Sequence, residues 1–178
     1  MRMGAGASRK GSDMDKALQA ARDLLENVTP LRTDCGRVCG GKCCRSLEGE
    51  ETGMLLFPGE EEEYRGKDGW KLTETAAGTL AICPGTCDRK ERPLACRLFP
   101  LMPVIREDGV KAAADQRAKG VCPLLRAGIR GMDPDFTEAV REAGRMLAAE
   151  ARQRRFLEER TAEQDELKEL REKWFCRT

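Results

Sequence analysis

Apolar residues recur at helical spacing near the start of the chain. Met14, Leu18, Ala21, Leu25 and Val28 fall on one face, which predicts an amphipathic helix. Ser12, with Asp15 three residues on, makes a capping-box-like start, and the helix must stop before Pro30. The stripe is read as a face packed on the rest of the domain rather than as a partner surface. Residues 1–11 are small, polar and Gly-rich and are expected to be disordered. Gly36, Gly40 and Gly41 interrupt any regular helix over residues 31–47, so that segment is expected to be a loop.

Further on, Met54 to Phe57 form a short apolar run. Pro58 then serves as a first helical residue, with Glu60 to Glu63 in the first turns, where acids favour the helix dipole. These glutamates are ordinary solvated acids or, alternatively, iron ligands. Residues 69–85, "GWKLTETAAGTLAICPG", predict two short strands around a turn, and residues 92–100, "RPLACRLFP", a helical turn or two ending before Pro100. Residues 101–115 pair an apolar run with a second strand across Asp108-Gly109, a hairpin signal. Asp133-Pro134 is an N-cap and first-turn pair, followed by a stripe of Phe136, Val140, Ala143 and Leu147. Thr161 with Gln164 suggests the cap of a last helix carrying Leu167, Leu170 and Trp174. That charged C-terminal segment either packs on the preceding module through its first half or meets another subunit.

The expected class is therefore α+β, mostly helical with short strands and hairpins. The organisation reads as a disordered 1–11, a small cysteine-rich, metal-stabilised domain over 12–130 with an N-terminal helix, and a long C-terminal helical segment over 131–178. Composition adds the metal. Leu, Ile, Val and Phe number only 32 of 178 residues, while net charge is only +1, so a thin core without charge repulsion calls for cross-links. Neither a signal-peptide run nor a membrane-length apolar segment occurs, and a cytoplasmic protein that does not act on membranes is expected. In that compartment structural disulfides are rare, and nine cysteines is an odd number. Balanced charge with one Tyr and two Trp offers no basic stacking face, so no nucleic-acid partner is expected.

Eight of the nine cysteines lie in the 88 residues from Cys35 to Cys122. Their spacing is Cys35-x3-Cys39-x3-Cys43-Cys44, then Cys83-x3-Cys87-x8-Cys96, then Cys122, with Cys176 far away. All eight are candidate metal ligands. The chain has no histidine, which excludes His-based zinc sites, Rieske centres and a His general base. Thiolate-only ligation suits zinc, iron–sulfur clusters or Cu(I). The absence of Cys-x2-Cys pairs, together with Cys83-Pro84 and Cys122-Pro123, which echo the Cys-Pro of ferredoxin ligand runs, favours an iron–sulfur cluster over zinc. Adjacent Cys43 and Cys44 point apart on an extended backbone and so either serve two sites or leave one thiol buried. Four thiolates on a divalent centre carry a net charge of about −2. Arg37, Lys42 and Arg45 in the first run, and Arg92 and Arg97 beside Cys96, are candidates to balance it.

"CGGKCCRS" (residues 39–46), followed about 40 residues later by "CPGTCDRKERPLACRLFP" (residues 83–100), resembles the bacterial and archaeal YkgJ-type cysteine-cluster proteins. Arg92-Pro93-Leu94-Ala95-Cys96-Arg97-Leu98-Phe99-Pro100 matches that family's Arg-Pro-x-x-Cys-Arg-x-Phe-Pro in full, and Cys87 holds the place of the cysteine before it. The first run departs from the family in spacing, with three and three residues between its cysteines. The resemblance covers roughly residues 31–125. It implies zinc or iron chelation and brings no methylase activity, because the longer proteins that carry that activity have extra length this chain lacks. A radical S-adenosylmethionine site fails because Lys42 stands where a cysteine is needed. The expected function is a metal-binding protein holding an iron–sulfur cluster or zinc, acting as a redox or metal-handling accessory factor, with Arg92 and Arg97 beside the metal. The alternatives are a zinc-stapled interaction module, working through partners or self-association of its C-terminal helices, and an iron-dependent redox enzyme.

Overall fold

The computed structural model describes residues 16–45, 53–85 and 87–175. The expected disorder of residues 1–11, the helix start at Ser12 and Cys176 lie outside them. The class is α+β, as the sequence pattern predicts. Helix α1 (Lys16–Leu24) turns Leu18 and Ala21 inward, and the Leu25 that follows it is equally buried. The helix ends earlier than Pro30 requires, because the carbonyls of Leu25, Glu26 and Val28 are taken by a distant guanidinium, that of Arg89, at 3.0, 2.7 and 2.6 Å. A loop then leads into the one-turn helix α2 (Cys35–Cys39).

Strand β1 (Met54–Leu55) precedes the short helix α3 (Glu61–Tyr64), and β2 (Lys71–Thr75) and β3 (Gly78–Ile82) form the expected hairpin. The three strands make an antiparallel sheet in the order β1-β3-β2. Pro58 sits in a turn rather than starting α3, since Glu60 is drawn into the interior. Helix α4 (Leu94–Leu98) stops before Pro100. A second hairpin then pairs β4 (Leu101–Arg106) with β5 (Gly109–Ala114), in the register that the Asp108-Gly109 turn signal implies.

Asp133 caps helix α5 (Pro134–Ala148) by accepting a bond from Asp135 N at 3.0 Å. Helix α6 (Ala151–Phe175) runs through Thr161 without a break. The expected cap there does not form, because both side chains serve tertiary contacts instead. Thr161 Oγ1 accepts from Ile105 N at 3.0 Å, and Gln164 Oε1 accepts from Gln116 N at 2.6 Å. The main core is continuous from α1 through α4 and β4 to α5 and the first part of α6, and includes Leu18, Leu25, Leu94, Leu98, Phe136, Val140, Leu147 and Leu157. At Gly144 α5 packs tightly on the hairpin: a Cβ there would lie 2.4 Å from Pro103 Cβ. Beyond Gln164 the helix projects with Leu170 and Trp174 exposed. Among the described residues no helix is long and apolar enough to cross a membrane.

Candidate metal centre

The segment from Asp34 to Arg45 is more ordered than a loop. Asp34 Oδ1 accepts from Gly36 N at 3.1 Å and starts α2, which puts Cys35 and Cys39, four residues apart, on one helix face. Gly40 and Gly41 both take left-handed backbone (φ 68° and 65°), ending α2 and opening a 3-10 turn over Lys42–Cys44. The interrupting glycines thus delimit helical turns instead of abolishing them. Cys43 and Cys44 consequently stand on a turn and not on extended backbone, with their sulfurs 4.0 Å apart. Neither is fully buried: Cys43 is exposed and Cys44 half-buried.

Three further pieces of chain close on this turn. Cys83 leaves the end of β3 and Cys87 follows the turn at Gly85, whose Cβ position lies 3.4 Å from the Cys44 carbonyl. Cys96 sits on α4, and Cys122 precedes the 3-10 turn Pro123–Ala127. All eight sequence-predicted cysteines therefore line one cavity of about 390 Å³, although they come from segments as far as 87 positions apart. All eight are free thiols. Among the described residues no three Cys, Asp or Glu side chains already stand close enough to hold one ion. Turning a cysteine χ1 between staggered wells carries its sulfur roughly 3 Å.

The thiols differ electrostatically. Burial pushes Cys35, Cys87, Cys96 and Cys122 up from the ordinary thiol value, Cys96 the most. For Cys122, the backbone N–H groups of Leu124 and Leu125 oppose that rise. Cys43 and Cys44 are hydrogen-bonded to each other. That bond and the charge of Arg92 pull Cys44 below the ordinary thiol value, and Cys43 is pushed well up in return.

The two arginines of the Arg-Pro-x-x-Cys-Arg motif take different parts. Arg92 faces Cys87 and lies within electrostatic reach of Cys35 and Cys44, with Asp34 3.9 Å from its Nη1. Its buried Nε has no hydrogen-bond partner among the described residues. Arg97 also borders the cavity, but its three nitrogens donate to the carbonyls of Arg92, Arg22 and Lys90 at 3.0, 2.9 and 2.7 Å. It braces α4 and the preceding segment against α1. Arg37, Lys42 and Arg45 stand exposed at the cavity mouth.

None of Glu60 to Glu63 lines the cavity, which argues against iron ligation by these acids. Glu63 pairs with Arg22. Glu60, fully buried, accepts from Phe57 N at 3.0 Å and from Leu94 N at 2.8 Å. It thereby caps the helix that carries Cys96 from 34 residues away. Arg89 and Glu60, the two groups that fix the second cysteine segment, carry no local signature of that role in the sequence, since the carbonyls Arg89 holds and the Leu94 N–H that Glu60 holds lie 34 to 64 positions away along the chain.

The donor set fits a thiophilic metal or cluster. It provides eight sulfurs against a single carboxylate, that of Asp34, with an arginine in the wall whose Nε lacks a partner among the described residues. Against known proteins, the chain matches no family model, no curated protein and no solved structure.

Proposed function

We propose that the chain is a metal-binding protein of the YkgJ-like type, which coordinates an iron–sulfur cluster, or else zinc, through cysteine thiolates and works in the cytoplasm as a redox or metal-handling accessory factor. The observation that carries this is the convergence of eight thiols from four stretches of chain on one cavity of about 390 Å³. That every cysteine of residues 35–122 comes to one place supports a common ligand. One zinc ion bound at Zn–S distances of about 2.3 Å fills the space between four sulfurs completely. A cavity of this size supports a larger occupant, in keeping with the iron–sulfur preference of the ligand spacing. Such a cluster, when bound, supplies one-electron redox chemistry. Arg92, with its free Nε and its reach to three thiols, supports the excess negative charge that thiolate ligation creates.

The test is anaerobic purification followed by quantification of iron, acid-labile sulfide and zinc. Brown protein with iron and sulfide is expected. Colourless protein with stoichiometric zinc overturns the iron–sulfur assignment and keeps thiolate chelation. Protein that takes up neither metal, even after reconstitution under reducing conditions, refutes the proposal.

A further inference from the structure

The cavity that gathers the thiols is also strongly cationic. Arg37, Lys42, Arg45, Arg89, Arg92 and Arg97 line it, and among the described residues Asp34 is the one carboxylate in its wall. The chain as a whole carries 32 Lys and Arg against 31 Asp and Glu, so the imbalance is local to the cavity. Arg89 and Arg97 spend their donors on backbone carbonyls at 2.6–3.0 Å, which satisfies the hydrogen bonds but leaves both charges uncompensated. Asp34 lies 3.9 Å from Arg92 Nη1. Arg37, Lys42 and Arg45 stand exposed at the mouth, and no carboxylate of the described residues pairs with them.

A cleft lined by one sign of charge focuses the field and raises the local concentration of ligands of the opposite sign. With its thiols protonated, this cavity therefore attracts anions and repels a bare divalent cation. The thiols at its mouth are placed to take metal from such an anion. Cys43 is the one exposed thiol of the eight, and its sulfur lies 4.0 Å from that of the half-buried Cys44. Tetrahedral Zn–S bonds of about 2.3 Å set neighbouring sulfurs about 3.8 Å apart, so the pair already holds the spacing of two ligands of one ion. It can replace two separate carrier thiols as a single unit.

We propose that metal reaches the cavity as an anionic complex with a small thiol of the glutathione class, which the cations Arg37, Lys42 and Arg45 dock at the mouth and from which Cys43 and Cys44 take the metal. This rests on the thiolate-chelation reading above. In the exchange, two metal–sulfur bonds to the carrier break and two to Cys43 and Cys44 form. The protons of the two cysteines leave on the two released carrier thiols, and the metal keeps its oxidation state. Cys44 and Arg92 lie inside the recess and are only partly exposed, within reach of a small molecule but not of a flat protein surface, which favours a small carrier over an acidic metal-donor protein.

The test follows zinc uptake by reduced, metal-free full-length protein under anaerobic conditions, by rapid desalting and metal analysis, from two donors: the hydrated zinc ion and zinc in excess glutathione. In the Arg37→Glu/Lys42→Glu/Arg45→Glu variant, uptake from the glutathione complex should slow by about tenfold or more at low salt, while uptake from the hydrated ion should be unslowed or faster. Raising the ionic strength should slow wild-type uptake from the glutathione complex, an arm that needs no variant to fold. Cys43→Ser should slow the same transfer, and transfer at the wild-type rate overturns the role of the cysteine pair. Equal slowing from both donors, or a glutathione complex indifferent to charge reversal and to salt, overturns the anionic-carrier assignment and leaves chelation standing. Wild type that takes up zinc from neither donor also overturns it, and if no iron is taken up on reconstitution either, the chelation reading falls with it.

Discussion

Replacing Arg97 separates scaffolding from metal contact. Its guanidinium donates to three carbonyls at 2.7–3.0 Å, and one of these bonds, to Arg22 O, is buried. Hydrogen bonds from a charged donor are worth about 1.5–3 kcal/mol, and a buried acceptor left unpaired costs about 1–3 kcal/mol. In Arg97→Ala water replaces the donor at the two partly buried carbonyls but not at the third. The expected loss is therefore about 3–5 kcal/mol, taking roughly 2–3 for the buried bond and 0.5–1 for each of the others. At about 2–4 °C per kcal/mol for a chain of this size, the melting point should fall by roughly 6–20 °C. Arg97→Lys keeps the charge but reaches fewer carbonyls and should lose about half as much. The assay is denaturant unfolding of anaerobically prepared protein, with metal content measured on the monomeric, folded fraction. Metal per folded molecule should stay at the wild-type value in both variants. A loss below about 1 kcal/mol refutes the bracing role. Reduced metal content in a lysine variant of unchanged stability would place the guanidinium on the metal instead.

Gly144→Ala should destabilise by about 1–2 kcal/mol despite the higher helix propensity of alanine, because the new methyl meets Pro103 Cβ at 2.4 Å and Val110 Cγ1 at 2.6 Å; a raised melting point would contradict the close packing of α5 on the hairpin. Burial pushes the Glu60 carboxyl up to about 7, against the pull of the Leu94 and Phe57 N–H groups and Arg22, so carboxyl-detected NMR of glutamate-labelled protein should show one titration near neutrality, and the absence of any glutamate titrating above pH 5 would refute it. Folding therefore takes up a proton at Glu60 between the ordinary carboxyl range and pH 7, and this group's contribution to stability is complete below that range and is lost as the pH rises through about 7. Cys176→Ser should retain wild-type metal, whereas Cys96→Ser should lose it or become insoluble; equal loss in both would mean that the C-terminal end folds back onto the cavity.

Local pattern was sufficient wherever the cause of an element lies within a few residues of it. The alternation and turn chemistry of residues 71–82 and 101–114 gave both hairpins, and Asp133-Pro134 placed the start of α5, because strand pairing across a short turn and helix capping are contacts between sequence neighbours. The cysteine spacing likewise identified the eight thiols that line the cavity. Spacing alone does not show how the two runs meet, since that depends on how the Gly85 turn lies against the Lys42–Cys44 turn.

Tertiary structure decided the roles of polar residues whose partners are remote. Thr161 and Gln164 have the chemistry of a cap, yet both accept from backbone N–H groups across the fold, those of Ile105 on β4 and of Gln116, because a half-buried helix turns its polar side chains toward backbone that needs a partner. Arg92 and Arg97 are indistinguishable in the motif, but one faces thiols and the other carbonyls. A guanidinium has five donors and settles where unpaired acceptors are nearest, and chain folding alone determines which acceptors those are.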